Sequence, residues 1–93
     1  MHEREADARY NRLVDDLETM LQWLDDRDES HWATWLGESR RQILAHDGNG
    51  LSHLLRAYGG MGSFNDLPMR GEIERVRSRI YDDAGSLLGD LQR

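Results

Sequence analysis

The sequence predicts an all-α protein: a small antiparallel bundle of about four helices forming a single domain over residues 1–93. Three observations predict it. Apolar residues recur at three- and four-residue steps through two long stretches, no run alternates apolar with polar as a half-buried strand does, and glycine-rich turn signals separate the periodic stretches. Each apolar stripe needs a partner to cover it, which short turns between helices supply most simply as an antiparallel bundle.

The strongest periodic signal is the first. Tyr10, Leu13, Val14, Leu17, Met20, Leu21 and Leu24 mark one helix face and predict a helix from about Glu3 to Asp26. Asp28 or Ser30 then caps a second helix, in which Trp32, Leu36, Ile43 and Leu44 share a face and which Asp47-Gly48-Asn49-Gly50 stops. A short third helix is expected over Leu51–Tyr58, with Leu51, Leu54, Leu55 and Tyr58 inward and Gly59-Gly60 free to take the left-handed conformation that ends it. The fourth is expected to begin near Pro68, a residue tolerated in a first turn. It carries the stripe Met69, Ile73, Val76, Ile80, Ala84, Leu87 and Leu91.

The chain has 93 residues, and a domain of that size buries about 60–65% of the surface its unfolded chain exposes, so its stability is expected to be modest. It has no cysteine, which excludes disulfides, thiolate metal sites and a cysteine nucleophile. No stretch reaches the roughly 20 apolar residues a membrane span needs, and Met1-His2-Glu3-Arg4-Glu5 lacks the basic flank and apolar run of a secretion signal. A cytoplasmic location is therefore expected. Every one of the 12 basic residues is arginine, and the net charge of −6 lies entirely within Met1–Glu29, with 10 acidic and 4 basic residues. Such a surface disfavours nucleic acid and favours a basic protein partner.

Chemistry finds little footing. His2, His31, His46 and His53 show no i, i+4 pairing for a metal, and the Asp47–Gly50 turn looks superficially like a calcium loop but lacks its later acidic ligand. Asp15-Asp16, Asp25-Asp26 and Asp82-Asp83 are adjacent pairs that diverge by about 100° on a helix and so read as solvated faces. Ser63 lacks a strand-turn-helix elbow, and Gly59-Gly60-Met61-Gly62 follows a helix where a phosphate cradle follows a strand. No catalytic residue, metal or cofactor is expected, and the chain does not read as an enzyme.

Two features remain. Trp23 lies about 120° from Leu17 on the first helix, near the outer face with Arg12, Asp16, Thr19 and Asp26, where a tryptophan among carboxylates suits an interface anchor. The alternative is that a neighbouring segment covers it. The second is Gly59–Leu67, Gly-Gly-Met-Gly-Ser-Phe-Asn-Asp-Leu: Met61, Phe64 and Leu67 are expected to pin the loop to the bundle while Asn65 or Asp66 caps the fourth helix.

With its lead-in Leu54-Leu55-Arg56-Ala57-Tyr58, this segment resembles the signature of an uncharacterised family of small bacterial proteins of about this length; the match ends at Leu67. The resemblance implies a companion of secreted or contact-delivered toxins, that is, an immunity protein that occludes a toxin domain. Contact is expected from Asp15, Asp16, Trp23, Asp26 and Glu29, with Asn65 and Asp66 as a second patch. Two other functions fit the same residues: a helical self-association or adaptor module acting as a homodimer, and an acidic mimic of nucleic acid that blocks a DNA-binding protein.

Overall fold

The computed structural model describes residues 2–92, with side chains from Glu5 onward. Four helices succeed one another: α1 (His2–Asp26), α2 (Ser30–Leu44), α3 (Asn49–Arg56) and α4 (Glu72–Leu91), with a 3-10 turn at Phe64–Asp66. No strand occurs among the described residues. α1 packs against α2 and α4, and α3 closes the bundle against the same two helices. The 25 residues of α1, at about 1.5 Å each, set the 39 Å long dimension of the molecule.

One apolar cluster holds these elements. Leu13, Leu17, Met20 and Leu24 of α1 are wholly buried against Leu36, Leu54, Phe64, Ile80 and Ala84. The stripes deviate from expectation at their ends. Leu44 is 44% exposed because it lies one residue beyond Ile43, about 100° around α2, and the fully buried position on that face is Ser39. Leu91 is 65% exposed at the last turn of α4.

The connections differ from the sequence reading in instructive ways. α1 ends with Asp28 at φ 56° and the Glu29 N–H donating to Leu24 O at 3.0 Å; α2 ends likewise with His46 at φ 58° and the Asp47 N–H donating to Gln42 O at 2.9 Å. Both are Schellman closures, made by Asp and His where glycine is usual. Neither Asp28 nor Ser30 caps α2: Glu29 occupies the cap position and makes no side-chain bond there. The Asn49-Gly50 pair expected to stop α2 instead opens α3, and Asp47 Oδ1 accepts from the Asn49 N–H. Gly50 is needed because α3 crosses α2 there; a Cβ would lie 2.9 Å from the Ile43 backbone nitrogen.

α4 starts at Glu72, four residues after Pro68, with Gly71 before it at φ 64°, ψ −133°, a conformation essentially restricted to glycine. Met69 is buried but sits ahead of the helix. Asn65 and Asp66 do not cap α4; Asp66 Oδ2 accepts from the Gly62 N–H at 2.7 Å, inside the loop. Phe64 is wholly buried and Leu67 packs on the core as expected, whereas Met61 is 99% exposed and pins nothing.

Replacing Gly50 by alanine forces a methyl to 2.9 Å from Gln42 Cβ, Ile43 Cγ1 and the Ile43 nitrogen, atoms on or next to the backbone of α2. A loss of about 1–3 kcal/mol is expected from urea unfolding, with unchanged helical content at low denaturant.

Candidate functional site around Trp23

What places α1 relative to α4 also decides which acidic residues remain free. Arg12 and Asp16 stand one turn apart on α1, Arg79 and Asp83 one turn apart on α4. Arg12 donates from Nε and Nη2 to Asp83 at 2.7 and 2.6 Å, and Arg79 donates from Nε and Nη2 to Asp16 at 2.7 and 2.8 Å. Both pairs are bidentate forks, the geometry that suits guanidinium to carboxylate. These hydrogen bonds push the Arg12 and Arg79 guanidinium pKa values further above their ordinary range. Asp16 is 6% exposed and committed to Arg79, so the partner contact expected of it is corrected to a structural role.

Three other acidic residues of α1, Asp15, Glu18 and Asp26, form a row. Asp15, Glu18, Thr19, Gln22, Trp23 and Asp26 line an open groove of about 590 Å³ whose far wall is Ile73 of α4. Trp23 is half-buried, packed against the core, so it is neither fully outward nor covered. Beyond Trp23 and Ile73 lies a second cavity, lined by Arg27, Pro68, Met69 and Arg70. The two cavities therefore have opposite charge, with Trp23 and Ile73 between them. On the acidic side no arginine among the described residues lines the groove; Asp26 accepts from Gln22 Nε2 at 3.0 Å, and Glu18 forms a loose ion pair with Arg40 at 3.8 Å. Of the expected contact residues, the groove brings together Asp15, Trp23 and Asp26 and adds Glu18. Glu29 sits half-buried at the start of α2, and Asn65 and Asp66 are exposed on the loop; none of these lines the groove.

The glycine-rich loop is fastened from beneath. Buried Arg77 donates Nη1–H to Phe64 O at 3.0 Å and to Leu67 O at 2.6 Å, and the Phe64 N–H donates to Ala57 O at 2.9 Å. The Tyr58 hydroxyl donates to Arg77 O at 2.7 Å. A cation against the last carbonyls of a short helical turn satisfies groups that would otherwise be orphaned. The loop is thus a fixed structural element whose tip presents Met61.

Sequence reasoning missed a layer of rings. Trp35 stacks on His53 at 4.3 Å, Trp32 meets both Trp35 and Phe64, and Phe64 leads through Tyr58 to Tyr81. Ser39 Oγ donates to Trp35 O at 3.0 Å and lies 2.7 Å from His53 Nδ1, while the Trp35 indole N–H donates to His53 O at 2.8 Å. Ser39 is wholly buried in mid-helix, so this serine–histidine contact staples α2 to α3 and offers no substrate a path to the hydroxyl. Ser63 is buried as well, with Oγ unpaired. Among the described residues no three His, Asp or Glu side chains converge as a metal site, and no helix is long and apolar enough to cross a membrane.

Burial pushes the Tyr58 phenol pKa above its ordinary value of 10.0. The folded state then resists ionisation that the unfolded chain undergoes, so the contribution is intact below about pH 10 and is lost as pH rises beyond it. Stability measured by urea unfolding is expected to fall above pH 10 in the wild type and to fall less in Tyr58→Phe.

Comparison with curated proteins and with solved structures yields no match to the chain. A family match covers residues 25–80, from the last turn of α1 through α2, α3, the loop and the first half of α4, so that Arg27, Phe64, Arg77 and Ile73 lie inside it and Trp23, Asp15 and Glu18 before it. With more than half its length matched, the chain belongs to the family described as Domain of unknown function (DUF6966).

Proposed function

We propose that this chain is an immunity protein: a non-enzymatic binding protein of the bacterial cytoplasm that captures a basic toxin domain and occludes its active site. The observation that carries the binding role is the groove of α1, where Asp15, Glu18 and Asp26 stand without an arginine in the lining, around a half-buried tryptophan and an isoleucine. Exposed carboxylates in a row steer a basic partner, and Trp23 with Ile73 supplies area to desolvate once the partner arrives. The toxin identity of that partner comes from the resemblance of the Leu54–Leu67 segment.

A second reading has its own observation. Leu91 and Leu44 are exposed at one end of the bundle, where Ala6, Tyr10, Ile43, Leu51 and Leu87, together with Leu91, line an apolar groove of about 240 Å³. Self-association through that end would cover them. The solution mass separates the two: a monomer at micromolar concentration favours the partner-binding reading, an obligate dimer the scaffold one.

The test is affinity capture of the tagged chain from its own lysate, followed by titration of the captured domain and assay of its toxic activity. Stoichiometric inhibition of a basic toxin domain is expected. An Asp15→Arg, Asp26→Arg double variant is expected to weaken binding about tenfold or more, chiefly in association rate, with the difference shrinking at high salt. Trp23→Ala is expected to cost about 2 kcal/mol of binding through dissociation rate. Asp16 is left untouched in this design, because an arginine there would face Arg79 and disturb the fold. Full inhibition by the double variant, with unchanged salt dependence, rejects the groove.

A further inference from the structure

Trp23 already carries a cation. The Arg27 guanidinium lies 4.0 Å from the centroid of its ring and donates Nη1–H to the Trp23 carbonyl at 3.3 Å. Arg27 lines the cavity with Pro68 and Arg70 and takes no part in the acidic groove, so it reaches the indole from the basic side. Asp25, Asp26, Asp28 and Glu29 all lie close to it in sequence, yet Arg27 is in no ion pair among the described residues and settles on the ring instead. A planar, weakly hydrated guanidinium gains from such a surface, and a compact ammonium gains less.

On the acidic side, the groove supplies what a second arginine needs. The Trp23 ring and Ile73 offer apolar surface for the methylene stem, and Asp26, one turn from Trp23 on the same helix, offers a carboxylate to the head group. Asp15 and Glu18 continue the row along α1; from Asp15 to Asp26 the helix rises about 16 Å, too far for one side chain to span. The shape is therefore that of a track for a basic segment with one anchoring position, at Trp23. Resting on the binding role proposed for this groove, we infer that the anchor is an arginine side chain of the partner, taken in preference to lysine. Its guanidinium lies against Trp23 and is held by Asp26, while Asp15 and Glu18 receive neighbouring basic groups of the same segment.

The test uses the ¹⁵N-labelled full chain and short blocked peptides identical except for a central arginine, lysine or citrulline. The signal is the Trp23 indole N–H, identified by its disappearance in Trp23→Phe. The arginine peptide is expected to shift it in a saturable, salt-sensitive way, with a dissociation constant at least about threefold below that of the lysine peptide. Citrulline, planar but uncharged, is expected to do little. Asp26→Asn is expected to reduce the advantage of arginine, while its thermal midpoint confirms an intact fold. Equal shifts from arginine and lysine, or none from either, overturn the preference. The broader binding role falls only if partner binding is also insensitive to Asp15 and Asp26, so the two failures are told apart.

Discussion

The bundle depends on a reciprocal pair of forks between its first and last helices. Arg12 reaches across to Asp83 and Arg79 reaches back to Asp16, so each helix gives one cation and one anion. The pairs fix both direction and register. A slip of α4 by one turn in one sense would set Arg12 against Arg79, and in the other would set Asp16 against Asp83, like charges in either case. Apolar stripes alone tolerate such a slip, since leucine against leucine looks much the same one turn along. The forks remove that degeneracy, and because their outer atoms meet solvent they do so without the full desolvation cost of a buried ion pair.

Those forks also sort the charges of α1. Asp16, which faces α4, is consumed in structure, whereas Asp15, Glu18 and Asp26 stay exposed along the groove. Arg77 performs the corresponding service on α4. Among the described residues it has no carboxylate partner; the carbonyls of Phe64 and Leu67 accept from its guanidinium and tie the loop to the helix. The internal ion pairs and carbonyl contacts thus decide which polar side chains stay turned to solvent.

Much of the architecture was legible because the apolar spacing of α1 and α4 leaves one choice of buried face: Leu13, Leu17, Met20 and Leu24 sit where a 3.6-residue repeat puts them. The boundaries were less so. Asp28 and His46 take left-handed conformations that sequence assigns first to glycine, and Gly50 is chosen for close approach between helices, a tertiary requirement that mimics a turn signal. The site was half legible. Helical phase put Asp16 beside Asp26 on an acidic face, but only the position of α4 shows that Arg79 takes Asp16 while Asp26 stays free. Glu18 escaped notice for the converse reason, since nothing in α1 alone says that Ile73 stands across from it. Met61, an apolar residue in a loop with other apolar residues, read as an anchor; its neighbours Phe64 and Leu67 take up that task.

The three tryptophans divide into two optical populations. Trp32 and Trp35 belong to the ring layer between α2, α3 and the loop, in contact with Phe64 and His53, and their emission reports the packing of that layer. Trp23 stands apart from it, with a guanidinium on its ring and an open groove beside it. A substitution to phenylalanine at 23 leaves the fluorophore pair of the ring layer, whereas replacing 32 and 35 leaves a single emitter beside the groove. The molecule thereby carries separate intrinsic gauges for the ring layer and for the surroundings of the groove, and neither needs an attached dye.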